Sequence, residues 1–114
     1  LVHEMGITQS ILSIVLDQAK QNGAKKVTQV NLEIGEMTNL VSECVEFYFD
    51  IVSKETIASG AKLVIENPPL KAKCSTCGHI FRVEDYNFIC PKCNNISPNI
   101  ISGKELAVTS IEIE

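Results

Sequence analysis

Residues 74–94 read CSTCGHIFRVEDYNFICPKCN, and this stretch sets the organisation of the whole chain. Cys74, Cys77, Cys90 and Cys93 form a C-x₂-C-x₁₂-C-x₂-C arrangement, in which each pair can wrap one metal ion through a tight turn. Four thiolates suit tetrahedral Zn²⁺. The residue after each second cysteine is Gly78 or Asn94, the two types that best tolerate positive φ and so let backbone N–H groups point at sulfur. A redox dithiol needs only one C-x-x-C, and the cysteines of iron–sulfur clusters usually follow other spacings. A closed four-sulfur site leaves no open coordination position, so the zinc is expected to fold its segment rather than catalyse. Ile80, Phe81, Phe88 and Ile89 are expected to pack around it. Base stacking is the alternative for Phe81 and Phe88, but only Lys73, Arg82 and Lys92 lie nearby. His79 is expected to be exposed rather than a ligand, since the sulfurs complete the shell.

Outward from the cysteines, the flanking residues alternate as strands. AKLVIEN (61–67) places Leu63 and Ile65 on one face before Pro68-Pro69 interrupts the ladder. ELAVTSIEIE (105–114) closes the chain as a strand whose alternation slips between Val108 and Ile111, the mark of a bulge. Residues 71–98 therefore read as a zinc-ribbon-like insertion between two strands of a sheet formed by residues 1–70 and 99–114.

Upstream, Ile7, Ile11, Leu12, Ile14, Val15 and Ala19 recur at helical spacing over 7–21, and Asn22-Gly23 supplies a left-handed stop. VTQVNLEIG (27–35) alternates Val30, Leu32 and Ile34 against Gln29, Asn31 and Glu33, a strand with one buried face. Ser42 and Glu43 start a second helix with an apolar stripe of Val41, Cys44, Val45, Tyr48, Ile51 and Val52. The predicted class is α+β: a small sheet of about three to four strands packed by two helices, with the four-cysteine zinc-binding domain inserted.

The bulk numbers exclude several functions. At 114 residues the chain makes one modest core with a small appendage. A net charge of −4 and no cluster of basic residues argue against nucleic-acid binding. The longest apolar runs fall short of the roughly 20 residues that span a bilayer, and no secretory signal pattern is present, so the expected compartment is the cytoplasm with no membrane association. Five cysteines, four of them in C-x-x-C pairs, fit a reducing compartment. Cys44 falls on the helical stripe, where a free thiol acts as a small hydrophobe rather than a reactive group. Glu33, Glu36, Glu43 and Glu46 read as solvated positions. With no P-loop, nucleophile elbow or H-E-x-x-H motif, an enzyme is not expected.

Residues 3–40 (HEMGITQSILSIVLDQAKQNGAKKVTQVNLEIGEMTNL), the paired C-x-x-C insert and the closing SGKELAVTSIEIE (102–114) together resemble the HypA/HybF family of [NiFe]-hydrogenase nickel-insertion proteins. The resemblance runs over nearly the whole chain, in order and spacing. It implies a metallochaperone that carries Ni(II) transiently at its N-terminus and Zn(II) structurally. It also implies delivery to the hydrogenase large-subunit precursor, with a HypB-like nickel-handling accessory GTPase as second partner. The nickel residues carried over are His3, by ring and amide, and Glu4, by its amide, with the terminal amine. Nitrogen-rich, square-planar coordination suits Ni²⁺ and fits tetrahedral Zn²⁺ poorly.

Family chains begin Met-His-Glu, whereas Leu1 and Val2 precede His3 here. Two readings are open: Val2 is the literal reading of a GTG start and is methionine in the natural chain, or the chain begins at Leu1. The second would give an amine-x-His chelate and leave Glu4 out. The competing function for the same residues is a zinc-ribbon module for protein or nucleic-acid interaction without nickel, which predicts salt-dependent polynucleotide binding. An oxidoreductase using Cys44 or one knuckle pair predicts a rapidly alkylating thiol in zinc-loaded protein. The terminal strand also offers a segment that two chains could exchange in a homodimer.

Overall fold

A computed structural model describes residues 2–96 and 99–114, with Val2 and His3 described by their main chain alone. Helix α1 spans Val2–Gln21. The sequence predicts its start only at Ile7, where apolar periodicity begins. The helix instead opens five residues earlier, with Glu4 in its first turn. Its end is as expected: Gly23 adopts φ 64°, and the Ala24 N–H reaches back to the Ala19 carbonyl at 2.9 Å.

Strand β1 (Val27–Ile34) follows, then a short 3₁₀ turn at Glu36–Thr38, helix α2 (Ser42–Val52) and strand β2 (Lys62–Glu66). β2 runs parallel to β1, pairing Val30 with Leu63 and Leu32 with Ile65. Parallel neighbours need a crossover connection, and α2 is that crossover. Strand β6 (Leu106–Ile113) pairs antiparallel with the other edge of β1, giving the order β2-β1-β6. The predicted bulge is present: Asn31 pairs with Ser110 but Leu32 with Val108. The extra residue, Thr109, donates its hydroxyl to the Asn31 carbonyl at 3.1 Å.

Alternation along β1 sends Val30, Leu32 and Ile34 into a core with Val15 and Ala19 of α1 and with Val45 and Phe49 of α2. The opposite face carries Gln29, Asn31 and Glu33, tied to β6 by the Asn31 to Ser110 side-chain hydrogen bond at 2.8 Å. On α2 the buried residues are Val45 and Phe49, while Val41 and Ile51 of the predicted stripe are 47% and 42% exposed. The helix is apolar on most of its circumference, so periodicity alone does not select its inward face. Contact with β1 and α1 selects it, and Phe49 rather than Tyr48 takes the central place.

Residues between β2 and β6 build a second sheet of β3 (Lys71–Lys73), β4 (Ile80–Arg82) and β5 (Ile100–Ser102), in the order β4-β3-β5. By hydrogen bonding this sheet extends to Ser102. The two sheets meet where the outgoing segment at 66–70 and the returning segment at 103–105 pass the end of β1. Gly35 donates to the Glu105 carbonyl at 2.7 Å, Glu36 to that of Pro68 at 2.9 Å and Met37 to that of Gly103 at 2.8 Å. An added Cβ on Gly35 would lie 2.2 Å from the Gly103 oxygen, which makes glycine the residue this crossing admits. Arg82 pairs with Glu36 at 2.9 Å and Asn39 with the Tyr86 hydroxyl at 3.2 Å, further links between the sheets.

Candidate metal centre

The two C-x-x-C turns close in the expected way. The Gly78 N–H returns to the Cys74 carbonyl at 2.9 Å and the Asn94 N–H to that of Cys90 at 2.8 Å. Gly78 and Asn94 have φ 77° and 64°, the left-handed geometry that allows each turn. The short hairpin β3-β4 positions the first knuckle, since the Cys74 N–H bonds the His79 carbonyl at 2.8 Å just beyond the last strand pair.

All four sulfurs lie within 4.8 Å of one another. Cys74 and Cys93 are 3.5 Å apart, and Cys77 and Cys90 are 3.7 Å apart, so each close pair joins one knuckle to the other. A disulfide would require about 2.05 Å. Tetrahedral Zn²⁺ with Zn–S near 2.3 Å demands sulfurs about 3.8 Å apart, close to what is found. The donor set therefore fits zinc: Cys74, Cys77, Cys90 and Cys93 would hold it, and the ion would supply a cross-link between the two knuckles.

The electrostatics agree with that use. The Cys77 N–H, 3.5 Å from the Cys74 sulfur, is the main cause that brings Cys74 down to about 6, against the burial that opposes ionisation. Burial also resists ionisation of Cys90, but the N–H groups of Cys93 and Lys92 outweigh it and lower its pKa. At Cys93 the Asn95 N–H favours the thiolate, yet the neighbouring sulfurs and burial prevail and push it up to about 11. Four clustered sulfurs cannot all ionise on backbone dipoles alone. A divalent cation would supply the missing charge.

Around the cluster, the core consists of Leu70, Ala72, Phe81 and Val83 with Cys74 and Cys90, and Met37 reaches in from the 3₁₀ turn after β1. The expected shell is thus only partly as predicted. Phe81 is buried and Phe88 packs against it, but Ile80 and Ile89 are 53% and 46% exposed. Their places are taken by Leu70 and Val83, which flank strands too short to show periodicity. His79 stays outside the sulfur cluster and stacks on Phe81, ring centroids 6.3 Å apart. Cys44 is half-buried on α2, away from the other cysteines.

The nickel residues drawn from the resemblance fall at the start of α1. Leu1 and the side chains of Val2 and His3 lie outside the described residues. Glu4 is buried, and the hydroxyl of the buried Thr8 bonds its carbonyl one turn on.

Residues 2–113 match the family model described as hydrogenase/urease nickel incorporation, metallochaperone, HypA. The chain belongs to the HypA family. The hydrogenase maturation factor HypA of Caldanaerobacter subterraneus is 40% identical, over 99% of this chain and all of its own. That of Aquifex aeolicus is 36% identical, over 99% of this chain and 98% of its own. A solution structure of a HypA protein shares 25% identity at a TM-score of 0.72, covering 100% of this chain and 98% of its own. The HypA nickel metallochaperone of Helicobacter pylori shares the fold, with a TM-score of 0.66 over 96% of each chain at 24% identity. HypA proteins are metallochaperones that serve hydrogenase maturation, so this chain is a nickel-incorporation factor of that family, α+β with a four-cysteine insertion. Among the described residues no helix is long and apolar enough to cross a membrane.

Proposed function

We propose that this metallochaperone carries Ni(II) on its leading residues and hands it to the hydrogenase large-subunit precursor in the cytoplasm, with a nickel-handling GTPase as co-chaperone. His3 contributes its ring and amide nitrogens and Glu4 its amide, together with the terminal amine and the main chain of Val2 or Leu1. The four-cysteine cluster holds Zn(II), which folds residues 71–98 as a lobe distinct from the nickel-bearing one of 1–70 and 99–114.

The observation that carries this reading is the early start of α1 at Val2 in a chain of the nickel-incorporation family. The first four N–H groups of a helix have no intrahelical carbonyl, so the main-chain nitrogens of residues 2–4 are spared from the helix ladder and available to an ion. A site at a chain end also opens without unfolding the core, which suits a cargo that must leave.

Nickel titration of zinc-loaded protein with a verified first residue tests the assignment. Near-equimolar binding with the absorbance of a square-planar complex is expected, abolished by His3→Ala and by acetylation of the amine. Retention of that complex in both altered proteins would refute it.

A further inference from the structure

Next to the sheet edge opposite β6, a cleft of about 270 Å³ opens between α2 and the start of β2. Glu46, Asp50 and Ser53 line one wall. Spaced four and then three residues apart, they share one helical face. Gly60 and Lys62 line the other wall, and the apolar side chains of Phe49 and Leu63 lie between.

Three features of this cleft are unused by the fold. Glu46 and Asp50 are exposed and form no ion pair among the described residues, even with Lys62 on the same cleft. Ser53 is only 1% exposed, yet its hydroxyl makes no hydrogen bond with the described residues; only its backbone N–H and carbonyl are engaged. That hydroxyl is not sealed from the cleft, so it is free to accept a hydrogen bond from an occupant. Finally, the order β2-β1-β6 leaves the outer edge of β2 without a strand neighbour among the described residues.

We propose that this cleft recognises an arginine side chain carried on an extended segment of a protein partner. A guanidinium presents five donors in a planar fork and accepts nothing, which suits the carboxylates of Glu46 and Asp50 and the lone hydroxyl of Ser53. Its methylene stem lies on half-buried Leu63, the way long cationic side chains cover apolar surface. The main chain of the segment adds to the free edge of β2. A bare divalent cation is a poorer occupant, because it needs six or more oxygen ligands and the apolar floor offers none. Lysine is a compact point charge and does not span three separated acceptors. The cleft shares no residue with the sulfur cluster or with residues 2–4, so the inference stands whether or not the nickel assignment does.

The test is an amide-resolved NMR titration of zinc-loaded protein with the blocked pentapeptide acetyl-Val-Thr-Arg-Thr-Val-amide. Its norleucine counterpart is the control. The expected result is saturable, salt-sensitive shifts at Ser53, Gly60 and Lys62, absent with the norleucine peptide. Affinity should fall at least tenfold in the Glu46→Gln/Asp50→Asn double variant, whose spectrum elsewhere should match the parent. Ser53→Ala should weaken binding by a smaller factor. Equal binding of the norleucine peptide, shifts confined to other regions, or Mg²⁺ saturating these amides where the arginine peptide does not would each overturn the proposal.

Discussion

Replacing Gly35 by alanine should separate the two sheets at their crossing, and the structure gives the size of the effect. Gly35 has φ −63° and ψ 152°, a conformation any residue adopts, so alanine brings no backbone strain of its own. The obstacle is steric. Its Cβ would lie 2.2 Å from the Gly103 oxygen, 2.3 Å from the Gly103 carbonyl carbon and 2.8 Å from the Glu105 nitrogen, all backbone atoms. Relief requires the 103–105 segment to move outward by about 1 Å, which stretches the Gly35 to Glu105 and Met37 to Gly103 hydrogen bonds. Losing two such bonds costs about 1–3 kcal/mol, and overpacking of this kind about 1–3 kcal/mol more. The total of roughly 2–6 kcal/mol is a large part of the 5–15 kcal/mol typical of a domain. Urea unfolding of zinc-loaded protein measures it. Gly6→Ala is the control: it lies within α1 with nothing inside 4 Å of its added Cβ, so the same substitution should stabilise by up to about 1 kcal/mol. Equal effects at the two positions, or a Gly35→Ala loss below about 0.5 kcal/mol, would refute the steric account.

The remaining expectations concern the metal, the thiols and the core. Purified protein should hold one zinc per chain by atomic absorption, and chelation should collapse the amide dispersion of β3, β4 and β5 while β1, β2 and β6 stay protected from hydrogen exchange. In zinc-loaded protein the amide dispersion of β3, β4 and β5 should persist at pH 7 and be lost on acidification below about 6, as protons compete with the ion for Cys74. The sign follows from a folded pKa depressed below the ordinary thiol value of about 8.5: the Cys74 contribution to stability is fully present above that value and is lost as pH falls through about 6. Phe49→Ala should destabilise by about 3–5 kcal/mol in thermal or urea unfolding, because the ring is 2% exposed in the core; Phe47→Ala, at 62% exposure, should change stability by less than about 0.5 kcal/mol.

Much of this molecule is legible in one dimension, for a physical reason. The C-x-x-C turns, the Asn22-Gly23 stop, the alternation of β1 and the bulge in β6 all depend on a few consecutive residues and their allowed backbone angles. Local chemistry suffices for each, so spacing predicts them. The proposed nickel terminus rests on family resemblance, because an amine and one histidine carry no spacing to recognise.

Tertiary structure decided what consecutive residues leave degenerate. α2 is apolar on most of its circumference, and packing into the core with α1 and β1 buried Phe49 and left Ile51 42% exposed. α1 begins at Val2 although no apolar period marks its first turn. The pairing of Cys74 with Cys93 and of Cys77 with Cys90 required both knuckles to fold toward each other. The cleft of Glu46, Asp50 and Ser53 exists only because β2 returns parallel to β1 beside α2. In each case the sequence determined which groups were available, and long-range burial, which depends on contacts between distant segments, determined which of them met.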